Sequence, residues 1–218
     1  MRAAALFLHG RYLRRDLGFY RTLAQGRFTV AVDGGYRFFH AAGIFPNMLV
    51  GDFDSLRRVP SNLPERTVVA RMPIRKDATD AELAVEYCLG EGFQSIDIVQ
   101  PSFGEPDHYL GNVMLLRLVD RWSRRGRARV RARLVGRAEE ILLIHDSRVT
   151  LRSCSGDRVS LIPLSSRVRY SCTGTDYAAH NVLVRPGQTV GLRNVITAAV
   201  ARFNVVGEAL LIHRWEVR

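Results

Sequence analysis

The sequence predicts an α/β N-terminal domain with a mostly parallel sheet, followed by an all-β C-terminal sandwich domain. Three observations predict it. Apolar strand-like runs alternate with helix-like segments through the first 145 residues. Acidic and glycine-rich motifs fall at the ends of those runs. From about Val149 the texture changes to short β-type segments separated by Gly, Ser, Pro or Asp.

Taken in order, Ala3 to Leu8 reads as a first buried strand; its apolar stretch is too short for a signal peptide before His9-Gly10-Arg11. Phe28 to Val32 is a second strand, ending at Asp33-Gly34-Gly35, and Tyr36 to Ala42 opens a helix. Met48 to Val50 runs into Gly51-Asp52. Arg66 to Arg71 is a β-branched segment, and Asp80 to Leu89 an amphipathic helix closed by Gly90 and Gly92. Ile96 to Val99 is a further strand, followed by a helix from about Asp107 to Arg121. Such sheets gather ligands at the C-terminal ends of their strands. The later segments, Val149 to Leu151, Arg158 to Leu164, Val168 to Cys172, Asn181 to Val184 and Ala209 to Trp215, suit a small antiparallel sandwich. The domains are expected at 1–140, carrying nucleotide, metal and catalysis, and 141–218, completing an acceptor-binding site.

Bulk properties narrow the function. A chain of 218 residues, 47% of them hydrophobic, can bury a real core, and no run of about 18 apolar residues suggests a membrane helix. A cytoplasmic protein is expected. Cys88, Cys154 and Cys172 form neither a disulfide framework nor a sequence-spaced zinc motif, so they read as small buried residues in a reducing compartment. The net charge of +11 raises nucleic-acid binding as an option. The charges from 123 to 137 lack the interleaved aromatics of a stacking surface, and the alternation at Arg127, Arg129, Arg131 and Arg133 suggests the solvated face of a strand. Nucleic acid is therefore not the expected partner.

Four polar clusters carry the chemistry. In Gly51-Asp52-Phe53-Asp54-Ser55, residues two apart in extended chain point to one side, so Asp52 and Asp54 converge. Crowded carboxylates call for a cation, and hard oxygen ligands suit Mg²⁺ held jointly with phosphates. The alternative is a solvated turn with a helix-capping Asp. In Lys76-Asp77-Ala78-Thr79-Asp80-Ala81-Glu82, Thr79 and Glu82 have capping-box spacing, which places Asp77 before a helix N-terminus and Asp80 in its first turn. Lys76, the sole lysine, stands beside a helix N-terminus able to hold phosphate. Asp33-Gly34-Gly35 permits close backbone approach to a ligand, or a tight turn. In the segment from Phe103 to Asn112, His108 and Asn112 share a helix face and Asp107 sits in the first turn; a capping Asp and a surface His would be the plain account.

The ordered set Asp33-Gly34-Gly35, Gly51-Asp52-Phe53-Asp54-Ser55, Asp77-Ala78-Thr79-Asp80 and Asp107-His108 resembles the motifs of the thiamine pyrophosphokinase family. Ser160 to Leu164, Gly174-Thr175-Asp176-Tyr177, Gly191-Leu192-Arg193-Asn194 and Gly207 to Ile212 extend the resemblance over nearly the whole chain. It implies the two-domain fold expected above, homodimers with sites at the subunit interface, and transfer of the pyrophosphoryl group of ATP to the hydroxyl of thiamine with release of AMP. It implies that Asp52, Asp54 and Asp80 hold Mg²⁺, with Asp54, Asp77 and Asp80 as catalytic carboxylates. Asp33, Gly34, Gly35, Lys76, Thr79, Asp107, His108 and Asn112 would bind the nucleotide, and Tyr177, Arg193 and Asn194 the acceptor. The chain departs from the family where an Arg is usual before Asp107-His108 and Glu105 stands instead, where Gly-Leu-Ser-Asn is Gly191-Leu192-Arg193-Asn194, and where an early Asn-Gly is His9-Gly10. These departures leave two alternatives: a pyrophosphokinase for another alcohol such as a pterin, or a degenerate nucleotide-binding member without catalysis.

Overall fold

The computed structural model describes residues 2–53, 60–72, 77–126, 129–152 and 154–217. The chain falls into two compact units, Met1–Arg137 and Ala138–Arg218.

The first unit is built on parallel strands β1 (Ala3–Phe7), β2 (Phe28–Val32), β3 (Met48–Gly51), β4 (Val68–Arg71), β5 (Ser95–Val99) and β6 (Arg131–Val135). Their order is β6-β5-β1-β2-β3-β4, every pairing parallel. Near-continuous apolar runs dictate this, since a strand covered on both faces has no side to give to water. Ala4 to Phe7, Val30 to Val32 and Ile96 to Val99 are buried throughout. Helices α1 (Leu17–Ala24), α2 (Tyr36–Ala42), α3 (Asp80–Gly90) and α4 (Pro106–Arg124) complete the unit. On one side of the sheet Phe7 stacks on Phe38 with ring centroids 4.4 Å apart, and Phe39 meets Phe7 edge-on at 5.0 Å. Each such aromatic pair adds about 1 kcal/mol beyond the area it buries.

Local chemistry sets the helix ends. Thr79 caps α3, its Oγ1 accepting from the Glu82 N–H at 3.2 Å. Pro106 opens α4 at a position that needs no N–H donor. α1 was not among the sequence-predicted elements, although Leu17, Tyr20, Leu23 and Ala24 recur at helical spacing, with Tyr20 and Leu23 buried.

One sequence-based expectation is corrected here. Arg129 and Arg131 are exposed as expected, but Arg133 is only partly so. It pairs in register with Asp97 of the neighbouring β5, donating from Nε and Nη2 to the two carboxylate oxygens at 2.9 Å each. Arg27 donates to the same carboxylate. Asp97 sits in an otherwise apolar strand and is 3% exposed, so its charge must be matched, and the residue directly opposite matches it.

The second unit is antiparallel β-structure: β7 (Glu139–Arg152), β8 (Arg158–Pro163), β9 (Val168–Thr173), β10 (Ala179–Val184), β11 (Asn194–Val195) and β12 (Val200–Arg214). β12 pairs with β7 along almost its whole length, with β9 through its first half and with β8 through its second. The register shifts between Val205 and Glu208, where Gly207 donates its N–H to Asp146 Oδ1 at 2.8 Å. Ile144, Leu161, Val168, Phe203, Val205 and Leu211 belong to the core of this unit. The long β7 and β12 exceed the short segments expected from sequence, because each joins an alternating stretch to a continuous apolar run, Ile141 to Ile144 and Ala209 to Ile212.

No helix among the described residues is long and apolar enough to cross a membrane.

Candidate active site

In the first unit the strand order reverses direction between β5 and β1: the chain runs outward from β1 to β2 on one side and returns to β5 on the other. Loops leaving such strands diverge and open a crevice at their carboxyl ends. A cavity of about 990 Å³ occupies that place. Leu8, His9 and Gly10 follow β1, Val32 and Asp33 end β2, and Gln100 and Ser102 follow β5. Arg37 comes from α2, Thr79 and Asp80 from the start of α3, and Glu105, His108 and Asn112 from the start of α4. The N-terminal ends of α3 and α4 thus face one volume, which favours an anion there.

Asp33 is the most informative residue in it. The residue is half-buried with its backbone at φ +46°, a left-handed conformation uncommon outside glycine. Its Oδ1 is buried and has no hydrogen-bond partner, the one such side-chain atom among the described residues. A buried carboxylate oxygen left unpaired is costly, and native structures keep such atoms where a ligand or ion completes them. The adjacent strand end comes close: a Cβ added at Gly51 would lie 3.1 Å from Asp33 Cβ. Asp52 follows, half-buried, and Phe53 at φ +66° is packed into the aromatic core. Anchoring Phe53 in that core fixes the loop that presents Asp52.

The floor near α4 is held by polar side chains. Asn112 Nδ2 donates to Gln100 Oε1 at 2.8 Å, and Gln100 Nε2 donates to the Ser102 carbonyl at 2.9 Å. Gln100 is buried and was missed in the sequence; its signal was a polar residue closing an apolar strand. Glu105 Oε2 lies 3.8 Å from His108 Nε2, both side chains largely exposed. Arg11 and Arg37 bring positive charge to the cavity lining.

Of the nucleotide-site expectations, Asp33, Thr79, His108 and Asn112 line this cavity, and so does Asp80 of the metal set. Asp52, Asp77 and Asp107 do not line it; Asp77 and Asp107 are exposed, and Asp107 Oδ1 accepts from the His108 N–H at 2.8 Å. Gly34 and Gly35 are buried rather than lining, and Gly35 has a packing reason, since a Cβ there would fall 1.8 Å from the Phe7 carbonyl oxygen. Asp54 and Lys76 lie outside the described residues.

In the second unit Tyr177 and Asn194 line a small cavity of about 50 Å³ with Ser160, Gly191 and Leu192; Arg193 is not among its lining residues. The Asn194 side chain is engaged at both ends, accepting from Tyr177 N–H at 3.0 Å and donating to the Tyr177 carbonyl at 2.7 Å. It fixes the turn that displays Tyr177, a residue 76% exposed. Arg193 adopts φ +58° and donates its N–H to Ser160 Oγ at 3.0 Å.

Residues 19–125, which contain most of the cavity lining, match the family model for the thiamin pyrophosphokinase catalytic domain. The thiamine pyrophosphokinase of Bacillus subtilis is 27% identical over 192 residues, covering 85% of this chain and 86% of the relative. The family model, this relative and the solved structures together support the thiamine pyrophosphokinase family for this chain. The family fold extends through both units. The crystal structure of thiamine pyrophosphokinase from Bacillus subtilis superposes with a TM-score of 0.81 at 25% identity, covering 98% of each chain. That of the Geobacillus thermodenitrificans thiamin pyrophosphokinase gives 0.78 at 25% identity over 99% of this chain and 98% of its own. The yeast thiamin pyrophosphokinase, at 12% identity, shares the fold with a TM-score of 0.76. An α/β first unit followed by a β-rich second unit is therefore a property of this family's fold, and a pyrophosphotransferase activity is what membership implies.

Proposed function

We propose that the chain transfers the pyrophosphoryl group of ATP to the hydroxyl of thiamine, giving thiamine diphosphate and AMP. The observation that carries this reading is the unpartnered, buried Oδ1 of Asp33 at the edge of a cavity also lined by Asp80, Arg11 and Arg37. A cavity of about 990 Å³ lies at the upper end of the range for small-molecule sites, which suits a nucleotide triphosphate.

The donor set fits Mg²⁺. Asp33 has an oxygen in need of a partner, and the adjacent strand end presents Asp52. Asp52 and Asp80, with Asp54, would hold the metal through hard carboxylate oxygens. When bound, Mg²⁺ would neutralise charge on the phosphates. The chain's own residues would do the rest. Arg11 and Arg37 take up phosphate charge where the family motif Arg is replaced by Glu105. The N-terminal ends of α3 and α4 orient the phosphate chain. The Gln100–Asn112 pair keeps that floor rigid. The acceptor oxygen forms a bond to the β-phosphorus while the bond from that phosphorus to the oxygen bridging the α-phosphate breaks. AMP leaves with that oxygen, and the hydroxyl proton passes through water to Asp77, which is exposed ahead of α3 and does not line the cavity. Positioning and charge neutralisation supply most of the rate in such transfers.

Tyr177 and Asn194 are proposed as acceptor contacts, with Asn194 acting through the turn it holds. A cationic side chain against the thiazolium would disfavour thiamine, and the placement of Arg193 outside the small cavity's lining supports thiamine over a pterin. The proposal includes a homodimer, tested by light scattering. The reaction itself is tested by incubating purified protein with ATP, Mg²⁺ and thiamine and quantifying AMP and thiamine diphosphate. Equal amounts of both are expected, and Asp80→Asn should abolish both products in a folded protein.

A further inference from the structure

In the second unit, three strand ends bring together side chains that the proposed reaction does not use. Cys154 and Asp157 stand in the turn between β7 and β8, and His213 near the end of β12. The turn is tight: Asp157 N–H donates to the Cys154 carbonyl at 3.0 Å, and two bonds to Ile196 hold it, from Gly156 N–H at 2.8 Å and to the Asp157 carbonyl at 2.9 Å. Cys154 Sγ, a carboxylate oxygen of Asp157 and a ring nitrogen of His213 all lie within 4.8 Å of one another. Ligand atoms about 2.0–2.3 Å from a tetrahedral ion sit a little closer than that, so small side-chain rotations suffice.

The surroundings of His213 point the same way. The residue is 5% exposed, with Nε2 2.8 Å from Asp157 Oδ2 and Nδ1 3.2 Å from Glu140 Oε1. Glu140 is its register partner across the β7–β12 ladder, so both side chains leave the same face. Without an ion, Nε2 shares a proton with Asp157 Oδ2; a carboxylate that accepts the Nδ1–H lets Nε2 exchange that proton for a cation, the arrangement found behind metal-binding histidines. An ion pair between His213 and its two carboxylates needs no sulfur beside it, yet Cys154 Sγ stands there, its S–H donating to the Arg152 carbonyl at 2.9 Å.

We propose that Cys154, Asp157 and His213 form a site for a zinc-type divalent cation, with Glu140 as the outer carboxylate that orients His213. Sulfur, nitrogen and oxygen donors together select zinc-like ions over Mg²⁺, whose preference is all-oxygen and octahedral. Three protein ligands leave a fourth position for water. The cysteines fit no sequence-spaced zinc motif because the ligands come from residues 56 positions apart in the chain, joined by the strand pairing of β8 with β12.

The test is a Co²⁺ titration of the full chain, followed by absorbance, with Mg²⁺ in excess so that all-oxygen sites are occupied. One equivalent should give a sulfur-to-cobalt charge-transfer band, and Zn²⁺ should displace it. Cys154→Ser, a near-isosteric change at a side chain only partly buried against the core, should lose the band while keeping its far-UV circular dichroism. Glu140→Gln should keep the band and weaken affinity by about 10- to 100-fold. Absence of the band in the native protein, or a band that survives Cys154→Ser, would overturn the proposal.

Discussion

Gly35 lies against the end of β1 so closely that a Cβ on it would stand 1.8 Å from the carbonyl oxygen of Phe7. That contact seats the turn Asp33–Gly35 on the central strand of the parallel sheet and so places Asp33 at the cavity. Backbone cannot yield as a flexible side chain would. Gly35→Ala is expected to destabilise the protein by about 3 kcal/mol, the upper end for overpacking, seen as a lower urea midpoint with an unchanged m-value.

Asp33 combines a left-handed backbone with an unpaired buried oxygen. Both are unfavourable to the ligand-free fold, which is a common signature of a residue retained for binding. Asp33→Asn tolerates the same backbone and removes the charge. Stability should hold or rise in thermal melts, while turnover with ATP falls by more than about tenfold, equivalent to about 1.4 kcal/mol of lost binding or transition-state stabilisation.

Arg11 stands at the cavity with its side chain exposed. If it answers for the missing motif Arg, Arg11→Ala should raise the KM for ATP by about tenfold, the scale of one charged hydrogen bond. The KM for thiamine should stay unchanged. Steady-state kinetics with each substrate varied in turn checks the split.

Asp97 binds Arg133 through both carboxylate oxygens and Arg27 as well. Asp97→Asn leaves two guanidinium groups facing one neutral amide. The expected loss is about 3 kcal/mol, toward the low end for a broken buried pair because both arginines keep some water. Chemical denaturation measures it, and Asp97→Asn should not change the KM for ATP.

Burial, and then the charge of Glu91, pushes the Cys88 thiol up to about 12, with Arg2 pulling weakly the other way. The reactive thiolate is therefore scarce at pH 8. Cys88 should resist iodoacetamide at that pH in the native protein and react readily in urea, where its ordinary acidity returns. Peptide mass spectrometry resolves the two states.

Much of this architecture is written in local sequence. The apolar runs Ala3 to Leu8, Phe28 to Val32 and Ile96 to Val99 are legible as buried strands because both of their faces are covered. The Thr79–Glu82 spacing marks the start of α3 because one hydroxyl satisfies one helix N–H. Asp33, Thr79, Asp80, His108 and Asn112 were found because short polar motifs stand at strand and helix ends. Gln100, Arg11 and Arg37 were not, since a lone polar residue carries no pattern and their common cavity exists only once β1, β2 and β5 are side by side. The pairing of Arg133 with Asp97 was hidden for the same reason: alternation shows which residues share a face, but not what stands opposite.

The most direct measurement is the product ratio after incubating the purified chain with ATP, Mg²⁺ and thiamine. Thiamine diphosphate and AMP in equal amounts are predicted, with no AMP when thiamine is omitted. Folded protein that forms no AMP, or that yields ADP and thiamine monophosphate instead, would contradict the assignment.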